Sequence, residues 1–327
     1  MRERRPRVLM AAVLAAGVLL TACGGGGGGE VAAAPERLVL GLVPSDEVDQ
    51  LVTDATALGG LLSAQLGIPV ETFVSDSYAA LVVAMQSGQA DVGLFGPIAL
   101  VQSVDQAGAV PILQSVRRGT STYHTQWMTN DPSRFCTTPV VEAPNGDGQV
   151  FNYCNGTDTA TTGPVGEEAL RNIGEGESIS FVDEGSASGY YYPATQLQQI
   201  TGIDPLTGID AQFAGGHPNS VLNVARGDFT VGVSFDDARN EVVEEDPEIG
   251  SKATVFAWSP EIPNDGVAVR GDLPQDFQQR IADAMVTVIG TPEGAAAFDA
   301  VYSIEGLVPA ETAALDVARQ VAANFGG

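Results

Sequence analysis

The sequence predicts a two-lobed α/β protein, each lobe a mostly parallel sheet flanked by helices, with a two-strand hinge between them. Three observations carry this. Apolar strands alternate with amphipathic helices from Arg37 to Pro97. The same order of cap, helix, stop and strand returns between Pro218 and Asp237. A strand at Tyr123–Met128 leads out of the first lobe, and Val255–Trp258 leads back. A chain that crosses out and back makes a hinge from two connections.

The elements follow in order. Arg37–Leu42 reads as a buried strand, Val48–Leu66 as an amphipathic helix stopped by Gly67, and Pro69–Val74 as a second strand. This β-α-β opening calls for parallel strands and a right-handed crossover. Ser75-Asp76-Ser77 supplies cap residues for a helix Tyr78–Ser87, Gly88 stops it, and the strand Ala90–Phe95 ends at Gly96-Pro97, where Pro97 opens the next helix. In the second unit Pro218-Asn219-Ser220 is the expected cap, Gly227 the stop, and Phe229–Phe235 the strand, ending at Asp236-Asp237. The C-terminal part reads as helices over Pro274–Ile289, after the Thr291-Pro292-Glu293 cap, and over Ala310–Phe325. These limits give lobe 1 as 37–124 and 257–327 and lobe 2 as 125–256. Within lobe 2, about 131–177 reads as a polar surface insertion.

The first 22 residues stand apart. Arg2, Arg4, Arg5 and Arg7 precede an apolar run from Val8 to Leu20, a pattern of export signals and too short to span a membrane as a helix. Leu20-Thr21-Ala22-Cys23 resembles a bacterial lipobox, which implies lipidation of Cys23 and a mature protein on the outer face of the cell membrane. Residues 23–36 then form a small-residue tether reaching roughly 20 Å. Cys136 and Cys154, in an exported chain, are expected to pair, a constraint of about 3 kcal/mol.

The net charge of −26 becomes −29 once four Arg and one Glu leave with the signal. Such a surface disfavours nucleic acid and anionic membranes. It leaves an anionic small ligand open, because charges farther than about 8 Å are screened and donors inside a cleft act at close range.

The most informative stretch is Phe181 to Pro193, F-V-D-E-G-S-A-S-G-Y-Y-Y-P. Small residues between a strand and a helix leave backbone N–H groups uncovered, two hydroxyls stand among them, and the helix start adds partial positive charge. That combination suits a compact oxyanion. A plain Gly/Ser turn is the simpler reading of the pentapeptide alone. A serine nucleophile would need Ser at the centre of G-x-S-x-G, where this chain has Ala187.

Five motifs in order resemble the phosphonate/phosphite/phosphate-binding lipoproteins of ABC importers, the PhnD-type solute-binding proteins. They are G-L-V-P-S, D-S-Y-A-A-L-V-V-A-M-Q-S-G-Q-A-D-V-G-L-F-G-P, G-S-A-S-G-Y-Y-Y-P, G-G-H-P-N-S-V-L-N-V-A-R-G-D and S-P-E-I-P-N-D-G-V-A-V-R, spread from Leu38 to about Val308. The resemblance implies lobe closure over a small phosphorus oxyanion, no covalent chemistry, no cofactor and no metal. It also implies delivery to a membrane permease by a monomeric protein. It implies ligand contacts from Tyr78, Tyr123, Ser186, Ser188 and His217, and acceptors at Asp265 and at Asp236 or Asp237. Two positions depart from the family pattern: Ala187 replaces a hydroxyl donor between the serines, and Phe95 stands where an aromatic hydroxyl is common. Neutral hydroxyls and amides suffice to hold an oxyanion, so no arginine is required, and Arg117-Arg118 reads as a solvated pair. An acidic acceptor beside an anion repels it, so the ligand is expected to bring a proton or an ammonium.

Two other functions use some of the same residues. Tyr190, Tyr191 and Tyr192 with His217 and an aspartate form a hard ligand set for ferric iron. Ser186 or Ser188 with His217 and Asp236 has the composition of a secreted serine hydrolase.

Overall fold

A computed structural model describes residues 34–325. The export segment 1–22, the lipidation site Cys23 and most of the 23–36 tether lie outside the described residues. Among the described residues, no helix is long and apolar enough to cross a membrane.

Two sheets form, each with helices packed on it. The first has six strands in the order Gly306–Pro309, Val110–Val116, Gly266–Val269, Val92–Phe95, Leu38–Leu42 and Val70–Val74. The second has seven: Asp210–Phe213, Ser178–Phe181, Val231–Phe235, Thr125–Thr129, Thr254–Trp258, Val150–Tyr153 and Val141–Pro144. The chain passes between them through residues 117–124 and 259–265. There Thr122–Tyr123 and Ile262–Pro263 pair as a small antiparallel ribbon. The expected strand Tyr123–Met128 is therefore divided between ribbon and sheet.

Neither sheet is mostly parallel. Leu38–Leu42 pairs parallel with both its neighbours, as the β-α-β reading requires. Gly266–Val269, returning from the other lobe, inserts antiparallel beside Val92–Phe95. In the second sheet Thr125–Thr129 arrives from the ribbon and runs antiparallel to both its neighbours. The strand that enters each lobe points opposite to the βαβ strands it joins, whereas the strand that leaves runs with them, and this makes both sheets mixed.

Local chemistry places the helices. Glu47 accepts from the Gln50 N–H to start Val48–Leu66, and Gly67 ends it with φ 70°, a left-handed conformation that suits glycine. Ser77 caps Tyr78–Gln86 by accepting from the Ala80 N–H. The helix His217–Arg226 begins one residue before the expected cap. Gly216 precedes it without a side-chain cap, and the Ser220 hydroxyl instead donates inside the lobe to the Ser180 and Val233 carbonyls.

The 131–177 segment is part of lobe 2 rather than an appendage to it. Val141–Pro144 and Val150–Tyr153 extend the sheet, and Phe135, Leu170 and Ile173 are buried in the core. Cys136 and Cys154 are disulfide-bonded, with Cα atoms 5.7 Å apart.

Candidate functional site

Strand ends and helix starts from both lobes converge on one cavity of about 260 Å³. At ~30 Å³ of liquid volume per water this is the space of eight or nine waters, enough for a small organic anion. The lobes touch across it. The His217 N–H donates to the Ser45 carbonyl at 3.0 Å, and Gly185 lies so close to Tyr78 that an added Cβ would sit 2.5 Å from the tyrosine Cβ.

The serine loop forms one wall. After the strand Ser178–Phe181, Ser186 opens a turn of π-helix over Ala187–Tyr191 that runs directly into the helix Tyr192–Thr201. The Ser186 hydroxyl accepts from the Gly189 N–H at 3.1 Å, which leaves its proton free to donate. Ser186, Ala187 and Ser188 are buried against the rest of the protein and line the cavity.

Each serine faces a tyrosine. Burial pushes the Tyr78 phenol well up, the Asp265 and Asp183 carboxylates push it further, and the neighbouring Ser186 hydroxyl partly offsets them. Tyr123, on the ribbon, is likewise raised by burial and by Asp265, with the Ser188 hydroxyl opposing. Both phenols keep their protons as donors.

His217 stands at a helix start, buried beside the Phe235 ring at 4.7 Å. Its Nδ1 lies 2.8 Å from the Ser234 hydroxyl and accepts from the Phe235 N–H at 3.3 Å. A backbone N–H can only donate, so the network assigns the ring proton to Nε2, and His217 lines the cavity. Burial, then Arg117, lowers its pKa to about 3, and the imidazole is neutral.

Asp265 also lines the cavity, its carboxyl raised by burial and partly restored by Arg117. That arginine is not part of a solvated pair. Its guanidinium lies 5.2 Å from the Phe235 ring centroid and 3.7 Å from Asp265 Oδ2, inside the cavity wall. Arg118 does face outward, to Asp147 at 2.5 Å and the Asp236 carbonyl at 2.7 Å.

Two sequence-predicted residues sit elsewhere. Phe95 is fully buried and absent from the cavity wall. Lacking a hydroxyl, its ring folds into the core over Gly93, where a Cβ would be 2.2 Å away. Asp237 is 1% exposed and fully engaged: Arg239 Nε and Nη2 donate to it at 2.9 and 2.8 Å, and the Tyr153 hydroxyl at 3.1 Å. Burial alone would raise its pKa, but Arg239 and these bonds pull it below the usual range. Asp236 is the one of the two that reaches open space, in an adjoining compartment of about 450 Å³. Burial and the Asp237 charge raise it to about 7, against Arg118.

Sequence reasoning missed Arg117, Asp46, Glu241 and Tyr302, all on the cavity wall. Asp46 from lobe 1 meets Glu241 from lobe 2 at the rim. Burial first, then the Asp46 charge, raises Glu241 to about 7, although its side chain stays in contact with solvent. Only Asp46 had a sequence signal, as the residue after G-L-V-P-S.

The other two functions are not assembled. Tyr190 and Tyr191 pack in an aromatic cluster with Phe181, Phe213 and Phe325, and Tyr192 is buried. Among the described residues no group of three or more His, Cys, Asp or Glu is placed to hold a metal. On His217, the Nδ1 position that a triad carboxylate would take is filled by Ser234 and the Phe235 N–H.

Residues 40–315 match the family described as ABC transporter, phosphonate, periplasmic substrate-binding protein. The phosphate-import protein PhnD of Mycolicibacterium smegmatis is 27% identical over 209 residues, which is 62% of this chain and 56% of that protein, so the match spans just over half of the relative. The phosphonates-binding periplasmic protein of Escherichia coli is 22% identical over 257 residues, 78% of this chain and 67% of that one. Among solved structures, a binding protein component of an ABC phosphonate transporter from Pseudomonas aeruginosa superposes with a TM-score of 0.71 at 18% identity, covering 89% of this chain and 86% of the other. A methylphosphonate complex from Prochlorococcus marinus (MIT 9301) gives the same TM-score and identity, with 89% and 98% covered. At these identities the structures establish a shared fold.

Proposed function

Because the chain belongs to the family of periplasmic substrate-binding proteins of phosphonate ABC transporters, we propose that it captures a small phosphorus oxyanion outside the cytoplasm and hands it to a membrane permease. The ligand class is phosphonate, phosphite or phosphate. One observation carries this reading: uncharged donors from both lobes and the ribbon, Tyr78, Tyr123, Ser186, Ser188 and the His217 Nε2–H, border a single cavity of about 260 Å³. Hydroxyls and a neutral imidazole aimed at one point hold an oxyanion by charge-assisted hydrogen bonds. Asp265 faces the same space as an acceptor, and Asp236 faces the compartment beside it.

The ligand named for the Prochlorococcus neighbour, methylphosphonate, and those of the two curated relatives support the class. Calorimetric titration with phosphite, methylphosphonate, aminoethylphosphonate and phosphate tests it. Binding heat with at least one is expected, and silence with all four would overturn it. Lipidation of Cys23 would hold the protein at the membrane surface as a monomer. Loss of membrane association in Cys23→Ala cells, with the protein released to the medium or periplasm, is the expected result.

A further inference from the structure

We propose that Arg117 sets the charge state of the ligand: paired with Asp265, it makes the cavity wall electrically balanced, so that a doubly ionised oxyanion is held in preference to a singly charged one. This rests on the oxyanion reading above and reverses the expectation that the ligand must bring its own hydrogen.

Arg117 Nη1 and Asp265 Oδ2 are 3.7 Å apart, with the two side chains 17% and 18% exposed. That separation is too long for a hydrogen bond, so the ion pair leaves the guanidinium donors unspent. Among the described residues, the Arg117 side chain makes no other ion pair; its guanidinium also lies 5.2 Å from the Phe235 ring centroid and 5.9 Å from that of Tyr123, and its charge reaches His217 and Glu241. Aromatic faces orient the planar group without using its N–H bonds. A guanidinium so held, on a cavity wall, presents a fork of donors that matches two oxygens of a phosphoryl group.

The other ionisable groups around it do not supply this charge. His217, from the facing helix start, is neutral, and Tyr78, Tyr123 and Tyr302 are neutral donors. Asp265 is answered by Arg117, and Arg118 by Asp147. Asp46, Glu241 and Asp299 also line the cavity, where Asp46 is half-buried and Glu241 and Asp299 are exposed. Without Arg117 the inner wall would carry the Asp265 charge alone and repel a dianion. With it, the second negative charge of the ligand meets a cation rather than a carboxylate.

Since Glu241 is raised to about 7 by burial and the Asp46 charge, it titrates in the same range as a phosphoryl group, and the test fixes the ligand charge instead of scanning pH. At about pH 8.5, above the second phosphoryl ionisation at about 6, phosphite and phosphate are dianions. Hypophosphite and the monomethyl ester of methylphosphonate stay singly charged. Wild-type protein is expected to bind the best dianion at least about tenfold more tightly than these monoanions, the scale of one charge-assisted hydrogen bond. Arg117→Gln should lose about ten- to a hundredfold on the dianion, much less on the monoanions, and Arg117→Lys should keep the preference at reduced affinity.

Equal losses on both ligand types would mean that Arg117 only packs against Phe235 and Tyr123, and unchanged dianion affinity in Arg117→Gln would equally overturn the assignment. Should Arg117→Gln not fold, the wild-type ratio decides: a monoanion preference overturns the proposal and a dianion preference upholds it. Wild-type silence with every ligand would instead overturn the oxyanion reading and this proposal with it.

Discussion

His217 offers the sharpest test of how the cavity holds its ligand. Its Nδ1 is committed to Ser234 and the Phe235 N–H, so its contribution to binding is one N–H donated from Nε2. A hydrogen bond to a charged group is worth about 1.5–3 kcal/mol, or about ten- to a hundredfold in affinity at 1.4 kcal/mol per decade. His217→Asn keeps a polar atom near the Nδ1 position and removes the donor beyond it, so it should show that full loss. His217→Gln reaches the Nε2 position and should recover most of it. Thermal melting of the ligand-free variants separates lost binding from lost packing on Phe235. The second half of the test is pH. A histidine lowered to about 3 binds no proton between pH 5 and 8, so its substitution should leave the shape of the affinity–pH curve unchanged. If wild-type affinity instead climbs as pH falls through about 6.5, and His217→Gln removes that climb, the ring binds as a cation and the assigned tautomer is wrong.

Four further outcomes follow from the same structure. Ser188→Ala should weaken ligand binding by about tenfold with little change in melting, whereas Ser186→Ala should lose both, because its hydroxyl also caps the Gly189 N–H, a contribution of about 1 kcal/mol. Asp237→Asn leaves Arg239 buried without its partner, so melting should drop on the order of ten degrees, from about 3–5 kcal/mol, with affinity intact. An affinity loss without a melting change would make Asp237 a ligand residue after all. Glu241 has a folded pKa raised to about 7 by burial and by Asp46, so its favourable state exists at acid pH and is lost as pH rises through that value. Glu241→Gln should therefore melt higher than wild type at pH 8 and show no gain at pH 4, and an equal gain at both would exclude the titration. Reduction of Cys136–Cys154 should lower melting without altering ligand affinity, since the bridge ties the outer part of lobe 2, away from the cavity wall.

The local grammar of the chain was readable because short-range chemistry decides it. Ser77 caps the helix it was expected to cap, Pro97 opens the next one, and Val48–Leu66 has the limits that its apolar spacing and Gly67 dictate. Strand direction was not readable, because the antiparallel insertion of Gly266–Val269 depends on where the chain returns from, 150 residues after it left. Site residues divide the same way. The serine loop announced itself through composition, but Arg117 did not. A charged residue in a loop defaults to solvent, and Asp265 with the Tyr123 and Phe235 rings, the last brought from the other lobe, turns it inward. Two of the departures carried hints nearby. Arg239, two residues after Asp237, was available to neutralise it, and Gly93, two residues before Phe95 on the same strand face, left room for the ring to fold inward.

The division of the site between lobes gives binding its leverage on shape. Tyr78 belongs to the first lobe, Ser186, Ser188 and His217 to the second, and Tyr123 and Arg117 to the connecting strands. No single part offers a complete shell, so an oxyanion makes its full set of hydrogen bonds only when the lobes meet. A ligand shifts an equilibrium by its difference in affinity for the two states, not by its total affinity. Moving a lobe pair from 1:99 to 99:1 in favour of closure needs about 5.5 kcal/mol. Two or three charge-assisted bonds gained on closing, at about 1.5–3 kcal/mol each, supply that amount. Closure also brings the Asp46 and Glu241 carboxyls together and seats the His217 N–H on the Ser45 carbonyl. The first opposes closing once pH rises above about 7 and Glu241 ionises, and the second favours it. The ligand's bonds in the centre add to these contacts in holding the two halves together.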